Sequence, residues 1–120
     1  MKKCRCGTVH KTDFPSYREI PGCKWASYQT GAKKRKLKFA VTLEYAWDLF
    51  IKQNRTCVLS GVPITFGKRG NTASLDRIDS SKGYVEGNVQ WVHSEINRMK
   101  GRLADKEFVE MCQRVVKWNT

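Results

Sequence analysis

The pattern of apolar and polar positions predicts two helices in the first half of the chain. Trp25 and Tyr28 are three positions apart, which is the spacing of neighbours on one helical face, and they indicate a helix over residues 23–36. A more apolar stripe follows Thr42, a residue type that favours helix N-termini. We expect this second helix over residues 43–54, with its apolar face in the core.

The same periodicity predicts a last helix that begins near Asp105, whose side chain is suited to cap it. Its apolar stripe contains Phe108, Val109, Cys112, Val115 and Val116. A stripe of this kind is typical of a helix that packs on a core. We therefore expect the stripe, including Cys112, to be buried. The three tryptophans Trp47, Trp91 and Trp118 are likewise expected in core or helix packing.

Between these helices the pattern changes to short runs that are typical of strands. Four such runs are predicted, over 57–59, 62–66, 73–79 and 84–92. A short helix over 94–100 follows the last of them. Gly101 is expected to end that helix, because glycine readily adopts the backbone conformation found after helix C-termini.

Helices on both sides of a hairpin indicate an α+β fold. The 120 residues are enough for one domain with a modest core. We divide the chain into an N-terminal arm over 1–21, a basic helical region over 22–56, a hairpin-and-helix core over 57–101 and a C-terminal helix over 102–120.

The composition favours a polyanion as the partner. The formal net charge is +12, and such a field attracts nucleic acid first and anionic membrane surfaces second. No apolar run approaches the roughly 18 residues of a membrane span, and no apolar stretch follows Met1 as in a signal peptide. Five cysteines are an odd count, which fits the reducing cytosol rather than a disulfide framework. We therefore expect a cytoplasmic protein with no membrane partner.

The candidate chemistry lies between residues 74 and 100. Asp76 falls on the first strand of the predicted hairpin, and Asn97 falls on the helix after it. A carboxylate and an amide oxygen can bind one hard cation, Mg²⁺ or Mn²⁺, and leave positions for water and a phosphate. In a strongly basic chain this predicts a metal-dependent enzyme that cuts nucleic acid.

Segment 74–100 resembles the core of the HNH, or His-Me finger, nucleases, in which a hairpin and a helix surround one metal ion. The segment from Trp25 to Gly61 is similar to phage-type members of that group. The resemblance implies a ββα-metal fold, with Asp76 and Asn97 as metal ligands. It also implies a phage-encoded enzyme that acts in the cytosol of a bacterial host.

The resemblance assigns two further side chains. Asn88 matches the asparagine that ties down the hairpin loop in the family. Lys100 stands where members often carry a basic residue that faces the phosphate.

Arg77 departs from the family pattern, in which a histidine after the metal-binding aspartate takes the proton from water. A guanidinium has no acceptor and stays charged, so Arg77 cannot be that base. It could instead clamp the scissile phosphate. Asp79, His93 or water could replace the base. Asp79 is more readily explained as a turn cap or a partner of Arg77, and His93 as packing at the helix start.

The cysteines allow a zinc site at one place in the sequence. HNH proteins often brace the hairpin with two cysteine pairs. Here Cys57 is followed by Ser60, and His93 and Ile96 take the places of the second pair. A full set of four soft ligands is therefore not available, and we expect no structural zinc there. A separate N-terminal zinc knuckle is an alternative, with Cys4, Cys6, His10 and Cys23 as its candidate ligands.

The basic residues are expected to bind duplex DNA through its phosphates. Such contacts position a duplex but read no sequence. The predicted contacts are Lys33, Lys34, Arg35, Lys36, Lys38, Arg98 and Lys100, and Arg102 would extend them.

The sequence thus predicts a single-metal DNA endonuclease of the HNH type. One alternative is an HNH-fold DNA-binding protein that is catalytically weak or inactive because Arg77 replaced the base. A weaker alternative is a zinc-stabilised regulator built on the N-terminal cysteines.

Overall fold

Four helices and one two-stranded hairpin form residues 15–67 and 70–120, the part of the chain that the computed structural model describes. Cys4, Cys6 and His10, and with them most of the proposed zinc knuckle, lie outside it. In chain order the elements are α1 (Gly22–Lys34), α2 (Leu43–Lys52), β1 (Ala73–Arg77), β2 (Val89–His93), α3 (Ser94–Lys100) and α4 (Asp105–Asn119).

The first two helices form where the apolar periodicity predicts them. α2 begins after Thr42, whose Oγ1 accepts a hydrogen bond from the Tyr45 N–H at 3.1 Å, so this N-cap is confirmed. Ala46 and Phe50 on its inner face are fully buried. α1 buries Trp25 and leaves its basic C-terminal end exposed.

The hairpin is shorter than predicted. β1 and β2 pair in antiparallel fashion, with Asp76 opposite Gln90. β2 begins at Val89 rather than residue 84, because Tyr84 pairs instead with Phe39 in an isolated parallel bridge. The predicted strands over 57–59 and 62–66 are also wrong, since only an isolated bridge between Thr56 and Pro63 forms there.

Trp91 is the centre of the aromatic core. Its side chain is completely buried, and its ring lies 5.9 Å from that of Phe50 and 5.1 Å from that of Phe66, both edge-on. Its indole Nε1 donates a hydrogen bond to the main-chain oxygen of Ala46 at 2.7 Å. The hairpin is thereby fixed against α2, as expected for Trp91.

The Gln53 amide takes the place of a third strand at the outer edge of β2. Its Oε1 accepts the Trp91 N–H at 3.0 Å, and its Nε2 donates to the Trp91 carbonyl at 2.9 Å. Both main-chain groups of Trp91 are thus satisfied by one side chain, which is why a two-stranded hairpin can be buried at this edge.

α4 differs most from expectation. Phe108 is its one buried residue, whereas Val115 and Val116 are 57% and 61% exposed and Trp118 is 90% exposed. The prediction that this stripe is core is therefore wrong beyond the first turn, and Cys112 is only half-buried. The cause is the direction of the helix, which crosses the core only near its N-terminal end.

The start of α4 also differs. Ala104 is the N-cap, and the Ala104 N–H donates to Glu107 Oε1 at 3.3 Å. Asp105 is the first helical residue, and its carboxylate is bound elsewhere, by Lys100. None of the helices in the described ranges has the length and apolarity to cross a membrane.

We predict that Gln53→Ala lowers the free energy of unfolding by about 1–3 kcal/mol, because it leaves the buried Trp91 N–H without its partner. The Trp91 carbonyl would keep one donor, the Val58 N–H at 3.2 Å. Urea denaturation monitored by tryptophan fluorescence measures the change. Lys52→Ala, one residue earlier and exposed, is the control and should change stability by a few tenths of a kcal/mol at most. Equal effects of the two substitutions would contradict the proposed role of the amide.

Candidate active site

Two side chains of β1 meet two side chains of α3. Ser74 and Asp76 are two positions apart and share one face of the strand, and Asn97 and Lys100 are three positions apart on one side of the helix. Asn97 Nδ2 donates to Ser74 Oγ at 2.7 Å, and Lys100 Nζ donates to Asp76 Oδ2 at 2.7 Å. As a result, Asp76 and Asn97 line the same cavity of about 250 Å³.

One oxygen of Asp76 is held and the other is available. Oδ2 accepts hydrogen bonds from Lys100 Nζ at 2.7 Å and from Gln90 Nε2 at 2.9 Å. The antiparallel register explains the second contact, because Gln90 lies directly opposite Asp76. Oδ1 accepts no hydrogen bond from the residues that the structure describes. The carboxylate is thus fixed by Oδ2 and can present Oδ1 to a ligand.

Lys100 lies beneath the site rather than at its surface. Its side chain is 1% exposed, and Nζ lies 2.7 Å from both Asp76 Oδ2 and Asp105 Oδ1. A third bond of 2.7 Å goes to the main-chain oxygen of Arg77, so each ammonium proton has an acceptor. The expected phosphate contact of Lys100 is therefore wrong in this structure, because the ammonium group is buried between two carboxylates.

The donor set fits a hard divalent cation. The Asn97 amide nitrogen donates to Ser74, whereas Asn97 Oδ1 accepts no hydrogen bond from the residues that the structure describes, and Asn97 lines the same cavity as Asp76. Carboxylate and amide oxygens are ligands that Mg²⁺ and Mn²⁺ accept. No group of three His, Cys, Asp or Glu residues able to hold a metal occurs in the ranges the structure describes. A cation here would take its remaining ligands from water and substrate.

Two guanidinium groups line the same cavity. Arg77 Nη1 donates to the main-chain oxygens of Ser80 at 2.5 Å and Lys82 at 2.9 Å, and its guanidinium lies 5.5 Å from the Tyr84 ring centroid. Arg35 Nη2 donates to the Tyr84 hydroxyl at 3.1 Å. Tyr84 thus holds one arginine on its ring and one on its hydroxyl, and neither contact was foreseen from the sequence.

A larger cavity of about 660 Å³ adjoins the first and extends its basic wall. Four arginines line it, and two of them belong to both cavities. They are Arg35, Arg77, Arg98 and Arg102. A single carboxylate thus lies next to a cluster of permanent positive charges, which is a suitable environment for phosphate groups.

The other predicted basic contacts surround α1's C-terminal end. The side chains of Lys33, Lys34, Lys36 and Lys38 are exposed. Lys36 adopts a φ of 58°, at the point where the chain leaves the helix. Among the basic residues between positions 33 and 38, Arg35 is the one that lines the cavity.

The candidate bases are engaged elsewhere. Asp79 Oδ1 accepts hydrogen bonds from Ser81 Oγ at 2.6 Å and from the Ser81 N–H at 2.9 Å. These bonds hold the pKa of Asp79 below its ordinary value. His93 Nδ1 accepts the Glu95 N–H at 3.1 Å and caps α3. Neither Asp79 nor His93 lines the cavity. In this conformation Asp79 caps a turn and His93 caps the start of a helix.

Tyr28 also lines the cavity, and its hydroxyl accepts the Leu75 N–H at 3.2 Å. Burial raises the pKa of Tyr28 far above its ordinary value. It therefore remains a neutral phenol, and its place in the cavity is that of a hydrogen-bonding group.

Asn88 ties the hairpin loop together. Its Oδ1 accepts the Asp79 N–H at 3.0 Å, and its Nδ2 donates to the carbonyls of Asp79 at 3.1 Å and Gly83 at 2.9 Å. These are the contacts that the resemblance implied. Asn88 acts on the loop and does not line the cavity, so its part in catalysis stays a prediction.

We predict that Lys100→Met lowers the free energy of unfolding by roughly 3–5 kcal/mol, because it leaves two carboxylates close together without their buried cation. Chemical denaturation gives the value. Arg98→Met on the exposed side of α3 is the control, and it should have a small effect. Similar losses for both substitutions would show that the buried ammonium group does not hold these elements together.

Comparisons with known proteins identify the fold. No protein-family model matches the chain. An uncharacterised 29.0 kDa protein from the dda-modA intergenic region of Enterobacteria phage T4 is 29% identical over 82 residues, which are 68% of this chain. The chain spans about a third of that relative, 32% of its length. The rare-cutting HNH restriction endonuclease PacI is similar in structure, with a TM-score of 0.59 and 20% identity over 98% of this chain and 94% of its own. The chain therefore has the α+β fold of an HNH endonuclease, built on a hairpin and a helix.

Proposed function

We propose that this protein is a metal-dependent DNA endonuclease of the HNH type. The observation that supports it best is that Asp76 and Asn97 line one cavity together with Arg35 and Arg77, while the Oδ1 atoms of Asp76 and Asn97 accept no hydrogen bond from the described residues. The core over 57–101 would carry the metal, and the basic region over 22–56 would contribute Arg35. The T4 relative supports a phage origin, and with it action in the cytoplasm of a bacterial host.

Each side chain has a defined part in this proposal. Asp76 and Asn97 would hold one Mg²⁺ or Mn²⁺. When bound, such an ion stabilises the charge that develops on the phosphoryl and leaving oxygens. Lys100 and Gln90 fix the carboxylate of Asp76. Arg77, whose Nη1 is directed to the hairpin turn, would neutralise charge on the phosphate.

DNA would be bound chiefly through its backbone. Arginine forks match phosphate oxygens in pairs, and the 660 Å³ cavity places four of them next to Asn97. The exposed lysines after α1 would continue this surface along the duplex. Contacts of this kind give affinity without sequence information.

A second candidate function is an HNH-fold DNA-binding protein with weak or no nuclease activity. The observation that favours this second function is that none of the three candidate side chains, Arg77, Asp79 and His93, is placed to take a proton at the cavity. Arg77 cannot accept a proton, and Asp79 and His93 accept main-chain hydrogen bonds away from the cavity. In the proposed enzyme, solvent would take the proton from the attacking water, at a lower rate than with a histidine.

We predict that Asp76→Asn and Asn97→Ala each abolish magnesium-dependent nicking of supercoiled plasmid while duplex binding is largely kept. Asp76→Asn removes the charge but keeps the size of the side chain. Gel analysis of nicking and electrophoretic mobility shifts measure the two properties. Asp48→Asn, on the exposed side of α2, is the control and should nick like the wild type.

The same assay separates the two candidate functions. Nicking by the wild type that EDTA stops, and that both variants lack, supports the enzyme. Duplex binding without nicking at any Mg²⁺ or Mn²⁺ concentration supports the binding protein. Undiminished nicking by both variants would remove the assignment of the metal site.

We predict that Arg102→Gln lowers the slope of log K against log salt for duplex binding by about 0.9, the value for one lost phosphate contact. Its affinity should fall to a similar degree for unrelated sequences, because phosphate contacts do not discriminate bases. Fluorescence anisotropy over a series of salt concentrations measures both. Lys52→Gln, an exposed lysine on α2 outside both cavities, should leave the slope unchanged.

A further inference from the structure

The carboxylate of Asp105 belongs to the charge cluster beneath the candidate site, although Asp105 is the first residue of α4 and is not among the residues that line either cavity. Its Oδ1 accepts hydrogen bonds from Lys100 Nζ at 2.7 Å and from Gln90 Nε2 at 3.0 Å. The same two donors bind Asp76 Oδ2, at 2.7 Å and 2.9 Å. One ammonium group and one amide group thus bridge two carboxylate oxygens. Asp105 therefore contacts the groups that hold the candidate metal ligand Asp76.

A role in the helix alone does not explain this placement of Asp105. An acidic residue in the first turn stabilises a helix through its dipole, and Glu107 is a second acid in the same turn. Glu107 is exposed, however, whereas the side chain of Asp105 is only 26% exposed. Removing a carboxylate from water costs free energy, and an effect on the helix dipole does not require it. The direction of the side chain thus points to a role in the cluster.

The charges around Asp76 would disfavour a cation if Asp105 were absent. Lys100 formally neutralises Asp76, and Arg35 and Arg77 line the same cavity. A divalent ion would then meet a neutral ion pair with two guanidinium groups beside it. Asp105 gives the cluster a net negative charge, and it also shares the ammonium group of Lys100. Asp76 therefore keeps more of its own negative charge for a ligand on Oδ1.

We propose that Asp105 sets the affinity of the Asp76 and Asn97 site for a divalent cation without contacting the ion. This inference rests on the proposed metal-dependent function and adds a residue to its site. Asp105 is a positioning residue, because it acts through Lys100 and Gln90 and supplies a negative charge from beneath the cavity. The start of α4 thereby takes part in metal binding.

The first test measures the binding of Mn²⁺ alone to the full-length protein, from the loss of the electron paramagnetic resonance signal of the free ion. Asp105→Asn keeps the size of the side chain and removes its charge. We expect the dissociation constant for Mn²⁺ to rise at least about tenfold, which corresponds to ~1.4 kcal/mol. Glu110→Gln removes one charge from an exposed position of the same helix. As the matched control, it should change the constant by less than about twofold, because solvent and salt screen such a charge.

The second test separates the charge of Asp105 from any effect on the helix. In the double variant Asp105→Asn with Lys100→Gln, the cluster keeps the single negative charge of Asp76. Its affinity for Mn²⁺ should return to within about threefold of the wild type, because the two lost charges are of opposite sign. Asp105→Glu keeps the charge and should also bind Mn²⁺ as the wild type does. Urea denaturation of each variant verifies that it is folded under the conditions of the binding measurement.

The results distinguish this inference from the proposed function. If the wild type and Asp76→Asn bind Mn²⁺ equally, the metal site itself is wrong and both proposals fail. If Asp76→Asn loses binding while Asp105→Asn keeps the affinity of the wild type, only the role of Asp105 is overturned. Weak binding by Asp105→Asn that neither the double variant nor Asp105→Glu restores would also overturn it, because the loss would then not arise from the charge.

Discussion

The buried ammonium group of Lys100 is the interaction on which the rest of the site depends. It contacts Asp76 of β1, Asp105 of α4 and the main chain at Arg77, all at 2.7 Å. Gln90 of β2 donates to both carboxylates as well. Four elements therefore meet at one charge cluster. A buried ion pair of this kind contributes little net stability compared with apolar packing, but it fixes the orientation of the Asp76 carboxylate.

The formal charge at the centre of the site would favour the cation that we propose. Asp76, Asp105 and Lys100 sum to one negative charge, and Asp76 Oδ1 accepts no hydrogen bond from the residues that the structure describes. The arginines around it repel a cation, but they attract the phosphate that a cation would share with the protein. Metal and substrate phosphate would then bind more tightly together than separately, since each offsets the charge of the other.

The sequence predicted local features better than contacts between distant elements. Three correct predictions depend on short-range patterns. They are helix α2 with its Thr42 cap, helix α3 with its end at Gly101, and the placement of Asp76 and Asn97 on a strand and the following helix. Their use as metal ligands remains a prediction.

The errors concern contacts between residues that are distant in the sequence. Lys100 has the same chemistry as the exposed lysines, and only its packing against Asp105 from the next helix distinguishes it. Ser74 could have been found, because it is on the same strand face as Asp76. The apolar stripe of α4 predicts burial, but periodicity does not tell whether the rest of the chain reaches the helix to cover it.

The contacts of Arg77 also bear on the proposed cleavage reaction. Its guanidinium is held by two carbonyls of the hairpin turn and by the Tyr84 ring, so the turn is built around an arginine and not around a displaced histidine. A fixed positive charge beside the cavity would stabilise a doubly charged pentacovalent phosphorane more than the singly charged phosphodiester ground state. In the proposed nuclease, Arg77 would thus add transition-state stabilisation where no side-chain base reaches the cavity, and the rate would rise with pH as hydroxide becomes available.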